Sequence, residues 1–320
     1  MTFAGSPDRV ESRLVPEAGF ELDTFEISGF PRRPSAELVR ALVRAVKAPF
    51  ACRAILRRRR PDVVLGGGGY VAGPMVLAAR LSRIPAALTE ADAHLGLANR
   101  LAAPFASKLF LAYEIEGRTG DKVEVVGRPI PTAHLGAGRA EARARFGIDA
   151  EAPVVAVFGA LAGATSLNEM AVAAWGDEGP TVLHVSGERD YAALASRMHR
   201  PDYLLMPQTD HFGEVLASAD VAVSRAGGTV WELAAAGTPS VLVPYPHATA
   251  DHQTLNARHF ERGGGAIVVS NAEIASVPAL VGSLLADPAR LDAMRAAMLG
   301  MARLDAADRI AEGVIALARH

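Results

Sequence analysis

Short apolar runs alternate with helix-patterned stretches along this whole chain, in two series separated by a segment rich in Pro and Gly. In the first series, strands are predicted at Met1–Gly5, Leu22–Ile27, Asp62–Gly66, Ala86–Thr89, Leu109–Ala112 and Val123–Val126. Helices are predicted over Ser6–Ala18, Ala36–Arg60 (with Pro49 as a point of kinking), Gly73–Leu81 and Asn99–Phe105. The second series places strands at Val154–Phe158, Thr181–Val185, Tyr203–Met206, Val221–Ser224, Ser240–Val243 and Ala266–Val269. Its helices include Phe212–Ser218, Val230–Ala236, Gln253–Arg262 and Pro288–Arg303. Strands that alternate with helices need crossover connections, so each series implies a parallel, doubly wound α/β sheet. Gly127–Gly138, with Pro129, Pro131 and Gly136, reads as the exit from the first domain. A chain of 320 residues suits two such domains, here 1–130 and 131–305. The last segment, 306–320, is an amphipathic helix with Ile310, Val314 and Leu317 on one face.

The bulk numbers exclude several classes. Half the residues are hydrophobic and 21% are charged, which is a packed globular composition. A net charge of −2 argues against a general nucleic-acid binder, so no nucleic-acid partner is expected. The charge is uneven, because residues 32–60 hold ten basic residues against Glu37 alone. That run is either a solvated helix face or an attraction to an anionic membrane surface or a diphosphate substrate. Cys52 is the sole cysteine, so no intrachain disulfide can form and a cytoplasmic setting fits. No apolar stretch approaches the ~18 residues of a membrane span. Charged residues at Asp8, Arg9, Glu11 and Arg13 do not fit a signal peptide.

Ser224–Leu233, directly after the apolar run 219–223, reads as strand, glycine turn and helix start. Backbone N–H groups of Gly227, Gly228 and Thr229 at a helix N-terminus favour a phosphate. Glu232, about one turn in, can accept two hydrogen bonds from a vicinal diol such as a ribose. Together these are the parts of a nucleotide site. Gly66–Gly69 and Tyr70 follow a strand, and such glycines serve either close ligand approach or a tight packed turn. The run lacks the Lys-Ser/Thr of a P-loop and the spacing of a dinucleotide fingerprint. Pro244–His247 and Asp251–Gln253 lie beyond another strand, where ligands bind in parallel sheets or where an ordinary polar helix start would sit. No His/Cys metal pattern, serine-hydrolase elbow or Asp-x-Asp pair is present, so neither a cofactor nor a tightly bound metal is expected. His184, inside a strand, reads as a satisfied core histidine.

Over nearly all its length the chain resembles the MurG-type glycosyltransferases. The resemblance is carried by Leu14–Gly29 (LVPEAGFELDTFEISG), Pro61–Pro74 (PDVVLGGGGYVAGP), Ser224–Glu232 (SRAGGTVWE) and Val243–Ala257 (VPYPHATADHQTLNA). It implies a GT-B fold, two Rossmann-like domains with the last helix returning to the first. It implies inverting transfer of N-acetylglucosamine from UDP-GlcNAc, the donor substrate, to undecaprenyl-diphosphate-linked muramyl-pentapeptide. The setting it implies is peripheral, on the cytoplasmic face of the membrane. By the same resemblance Gly227, Gly228 and Thr229 cradle the diphosphate, with Gly163 and Arg225 also on the donor side. Glu232 holds the ribose diol, Gln253 and His252 approach the sugar, and the segment around Thr209 offers backbone to the uracil. Gly68, Gly69, Tyr70, Asp92 and Asn99 face the acceptor.

Four departures from the family pattern qualify that implication. The family opens with a strand and a Gly-rich loop ending in His, whereas this chain begins at what resembles the second strand. The first domain is therefore expected to be incomplete, with strand edges exposed on both sides of a gap, from a late-assigned start or a truncated copy. Leu161 stands where the family commonly has Ser, Pro131 stands where it has Arg, and the Gly227–Thr229 turn is one residue short. With the family's histidine outside the chain, Asp92 and Glu90 are the nearest substitutes for a general base. Other readings of the same residues are a non-catalytic UDP-sugar binder, a glycolipid glycosyltransferase or a UDP-GlcNAc 2-epimerase.

Overall fold

The computed structural model describes residues 1–29, 35–159 and 163–319, which leaves Arg32, Arg33 and the Leu161 position outside the described residues. The chain divides into two compact units, Met1–Val126 with Asp308–His320, and Gly127–Ala307. The first unit contains β1 (Phe3–Gly5), α1 (Glu11–Glu17), β2 (Leu22–Thr24), α2 (Ala36–Arg59), β3 (Val64–Gly66), α3 (Gly69–Leu81), β4 (Ala86–Glu90), α4 (Leu97–Ala102), β5 (Lys108–Leu111) and β6 (Val123–Val125). The second contains α5 (Arg139–Arg145), β7 (Val154–Phe158), α6 (Thr165–Trp175), β8 (Thr181–Val185), α7 (Glu188–Ala195), β9 (Tyr203–Met206), α8 (Phe212–Ser218), β10 (Val221–Ser224), α9 (Val230–Ala236), β11 (Ser240–Leu242), α10 (His252–Arg262), β12 (Ala266–Val268), α11 (Val277–Leu285) and α12 (Pro288–Met301). The last helix is α13 (Ala306–Ala318).

Every strand pair among the described residues is parallel. The second unit's sheet runs β12-β11-β10-β7-β8-β9. The first strand of the unit is thus central, and the chain winds outward from it to both sides. This is the doubly wound order in which ligands bind where the winding reverses, here between β7 and β10. All five residues of β7 are buried, which explains its continuous apolar run VVAVF. His184 on β8 is fully buried, as a core residue should be. Asn168 uses Nδ2 to donate to the Ser186 carbonyl, so its Oδ1 accepts from His184 Nε2 at 2.9 Å. Nδ1 then accepts from the Tyr203 hydroxyl at 2.8 Å. The ring is neutral, and burial pushes its pKa down to about 4.

The first unit's strands form two pieces, β1-β2 and β3-β4-β5-β6. Among the described residues no ladder joins β1 to β3, and Leu65 on β3 is 46% exposed. α2 starts on a Ser35 cap, whose hydroxyl accepts from the Leu38 N–H at 3.3 Å. It runs through Pro49 and ends where Arg60 turns left-handed ahead of Pro61. Its last turn is tied to β2, because Arg59 Nε and Arg58 Nη2 both donate to the buried Asp23 carboxylate, at 2.7 and 2.5 Å. The Arg59 hydrogen bond leads in holding the Asp23 pKa below its usual value. Within this unit, Ile310, Val314 and Leu317 of α13 pack with Ala87, Phe110 and Val126.

Several predicted boundaries move, among them the second strand, which ends at Thr24 rather than Ile27, and α4, which covers Leu97–Ala102 rather than Asn99–Phe105. The first helix is shorter than Ser6–Ala18, at Glu11–Glu17. α3 begins at Gly69, four residues before the predicted Gly73. Gly68 and Gly69 have φ of +89° and +65°, which lets the strand turn straight into a helix.

Candidate nucleotide-sugar site

Strand β10 delivers the chain to the turn Arg225–Thr229 at the point where the sheet's winding reverses. Among the described residues, the N–H groups of Gly227, Gly228 and Thr229 find no acceptor. The turn closes instead through the next two amides, Val230 N–H to the Gly227 carbonyl and Trp231 N–H to that of Gly228. Three consecutive donors without an acceptor can receive an anion. α9 has only seven residues, so these amides supply more of the field than a summed helix dipole does.

The buried Arg225 does not point its charge at these amides. Its Nη1 donates to the carbonyls of Val243 and Pro244 at 3.0 and 3.1 Å, and its Nη2 to Ser166 Oγ at 2.7 Å. It braces the turn against the ends of β11 and α6. Asn256 on α10 adds a second brace, with Nδ2 donating to the Ala226 carbonyl at 3.1 Å. Gln253 is engaged with the 244–248 loop, because its Oε1 accepts from the Tyr245 N–H at 2.8 Å. His252 Nδ1 lies 2.7 Å from the Thr249 carbonyl. Ala250 and Asp251 just before it have φ of 52° and 53°, a strained conformation for residues with a Cβ. Thr209 Oγ1 accepts from the His211 N–H at 3.0 Å ahead of α8. Gly163 (φ +76°) is needed for packing, since a side chain there would overlap the Ser186 carbonyl.

Glu232 faces this region from α9, mostly buried. Its Oε1 accepts from His134 Nδ1–H at 3.0 Å, while its Oε2 is buried without a partner. The His134 ring meets Phe212 edge-on, and Gly213 is pressed against the His134 backbone. Sequence reasoning missed His134, because nothing local marks a contact across 98 positions. It also missed Arg128, whose guanidinium occupies the space a side chain on Gly228 would take. Both residues come from the segment that reads as a mere exit from the first domain.

In the first unit, the carboxyl ends of β3 and β4 gather most of the predicted acceptor residues. Gly68 lies beside Asn99 and the Thr89 carbonyl. Asn99 is buried, with Nδ2 donating to the Thr89 carbonyl and to Glu90 Oε2, each at 2.9 Å. Glu90 also accepts from the amides of Ala91, Asp92 and Gly96. Its carboxylate organises the 91–96 loop and is occupied by that task. Asp92 sits on this loop, half-buried. The Tyr70 ring packs on Gly29, with the Arg9 guanidinium 5.7 Å from its centroid.

A Rossmann-order sheet whose strands each lead into a helix, in a chain with a second parallel α/β unit, is the architecture of the GT-B class. Residues 2–111 match the glycosyltransferase family 28 N-terminal domain, and residues 154–310 the family 28 C-terminal domain. A UDP-N-acetylglucosamine:N-acetylmuramyl-(pentapeptide) pyrophosphoryl-undecaprenol N-acetylglucosamine transferase from Acidothermus cellulolyticus is 38% identical over 326 residues, which cover 98% of this chain and 88% of that one. Its counterpart from Rubrobacter xylanophilus is 35% identical, over 100% of this chain and 96% of that one. The crystal structure of Acinetobacter baumannii MurG superposes with a TM-score of 0.76 at 24% identity, covering 98% and 90% of the two chains. A UDP-GlcNAc 2-epimerase from Neisseria meningitidis, bound to UDP-GlcNAc, shares the fold with a TM-score of 0.60 at 14% identity over 98% of each chain. The chain belongs to the MurG-type N-acetylglucosamine transferases of glycosyltransferase family 28.

Proposed function

We propose that this chain transfers N-acetylglucosamine from UDP-GlcNAc to the muramyl-pentapeptide carried on undecaprenyl diphosphate, with inversion at the sugar. The observation that carries the donor half is the row of unpaired amides at Gly227–Thr229 beside Glu232. The amides receive the diphosphate, and Glu232 Oε2 accepts from the ribose diol. As the muramyl 4-hydroxyl attacks the sugar's C1, negative charge grows on the departing β-phosphate oxygen. Fixed N–H donors stabilise that charge without reorganising. Gln253 and His252, in the first turn of α10, approach the sugar in this reading. On the acceptor side, Gly68, Gly69, Tyr70 and Asn99 form the wall, and Asp92 is the candidate base. Glu90 is left out of that role, because four donors already occupy its oxygens.

The setting we infer is the membrane surface, and α2 supports it. Val39, Leu42, Val43, Val46 and Phe50 are exposed on the side opposite the buried Ala41, Ala48, Cys52 and Ile55. Arg40, Arg44 and Lys47 run along one flank of that apolar stripe. An apolar stripe edged by basic residues suits the headgroup boundary of an anionic leaflet. No single helix among the described residues is long and apolar enough to cross a membrane.

The test is a product assay with UDP-GlcNAc and the lipid-linked muramyl-pentapeptide. The expected product is the β-linked disaccharide lipid together with UDP. Release of ManNAc or UDP-ManNAc without acceptor would instead identify an epimerase, and UDP binding without turnover a non-catalytic binder.

A further inference from the structure

We propose that Arg128 is the cation that pairs with the diphosphate of the nucleotide sugar, closing the amide seat from the side of the interdomain segment. This rests on the donor reading above and adds a residue to it. A diphosphate brings more negative charge than three neutral amides can balance, so a site for it calls for a cation. Arg225 is the nearest arginine in sequence, but it spends its donors on Val243, Pro244 and Ser166. Pro131, where the related pattern has an arginine, carries no charge.

Arg128 meets the requirement by geometry. Its guanidinium rests over Gly228, so close that a Cβ on that residue would overlap Cζ, Nη1 and Nη2. Gly228 is the middle residue of the three whose amides are unpaired. Arg128 is half-buried and, among the described residues, makes no ion pair with a carboxylate. By contrast, Arg139 and Arg143 of this unit are neutralised by Asp220, and Arg200 by Asp202. The backbone that presents Arg128 is stiff. Gly127 has φ +84° and is packed against the Arg303 side chain, and Pro129 restricts Arg128 to an extended conformation. Its planar fork of donors matches phosphate oxygens in pairs, which a lysine does not do.

The experiment is calorimetric titration of the full chain with UDP and, separately, with uridine. Arg128→Ala is expected to weaken UDP binding at least tenfold and to change uridine binding less than twofold. Retained uridine binding also reports that the variant is folded. Arg128→Lys should recover only part of the loss. Gly228→Ala should displace the flexible end of Arg128 and give a selective UDP loss of its own. The double variant should then fall short of the product of the two single losses. Equal losses for UDP and uridine, or no loss for either, overturn the proposal while leaving the donor reading in place. Failure of the unaltered chain to bind UDP or uridine overturns both.

Discussion

Glu232 and His134 set the terms at the residue scale. A buried carboxylate oxygen without a donor costs about 1–3 kcal/mol or more, and a ribose diol brings the missing hydroxyls. Glu232→Ala is therefore expected to weaken UDP binding by about 1.5–3 kcal/mol, roughly 10- to 150-fold. A dissociation constant unchanged in calorimetry would remove Glu232 from the ribose. His134→Ala frees Oε1 and lets the carboxylate rotate, so a smaller loss is expected, with uridine and UDP affected alike because the ribose is common to both. His184 yields a different measurement. Its folded pKa lies near 4, below the usual 6.5, so the unfolded chain binds a proton that the folded chain does not over that interval. Stability contributed by the neutral ring is thus complete above about pH 6.5 and declines toward pH 4, by on the order of 3 kcal/mol. Urea melts at pH 7 and pH 5 should show a loss that shrinks when His184 is replaced by Gln. The core role of His184 was legible, because a histidine inside an apolar strand must find partners there. The bracing role of Arg225 was not, because a turn sequence does not reveal which carbonyls of other strands will lie beneath it.

At the scale of elements, strand-helix alternation gave away the sheets, since period and length are local properties. Helix starts were less legible where glycine allows a turn with no connecting residues, as at Gly68 and Gly69. Gly68→Ala would force a side chain to φ +89° and should lower stability by about 1–2 kcal/mol in denaturant melts. An unchanged midpoint would mean that the loop relaxes freely. Among the described residues the basic run resolves into two groups: Arg58 and Arg59 pair with Asp23, while Arg40, Arg44 and Lys47 border the apolar stripe of α2, Arg44 also lying 3.5 Å from Glu26. Charge counting could not separate them, because the difference lies in which side of the helix meets β2. Val46→Glu with Phe50→Glu is expected to abolish co-sedimentation with phosphatidylglycerol vesicles while leaving UDP affinity within twofold. Undiminished sedimentation would place membrane contact elsewhere.

For the molecule as a whole, the proposed division of labour follows the division of the chain. Arg128, His134, the Gly227–Thr229 turn and Glu232 all belong to the unit Gly127–Ala307, while Gly68, Asn99 and Asp92 belong to the other. The break rich in Pro and Gly reads as a domain exit at residue 130, whereas the units change at Gly127, and the same break concealed two proposed site residues, because linker composition says nothing of what a linker touches. Each unit has its own strands and its own core, so ligand effects on local opening should be separable. Amide hydrogen exchange with and without saturating UDP measures this directly. Ligand at 100 times its dissociation constant adds about 2.7 kcal/mol to the stability of what it binds. New protection is expected in peptides covering 127–135 and 224–233, from the amides and side chains that close on the diphosphate and ribose. Peptides over 62–70 and 86–100 should change only when the lipid-linked acceptor is added. Protection by UDP confined to those acceptor peptides would assign the nucleotide to the wrong unit and, with it, the roles of Glu232 and the glycine turn.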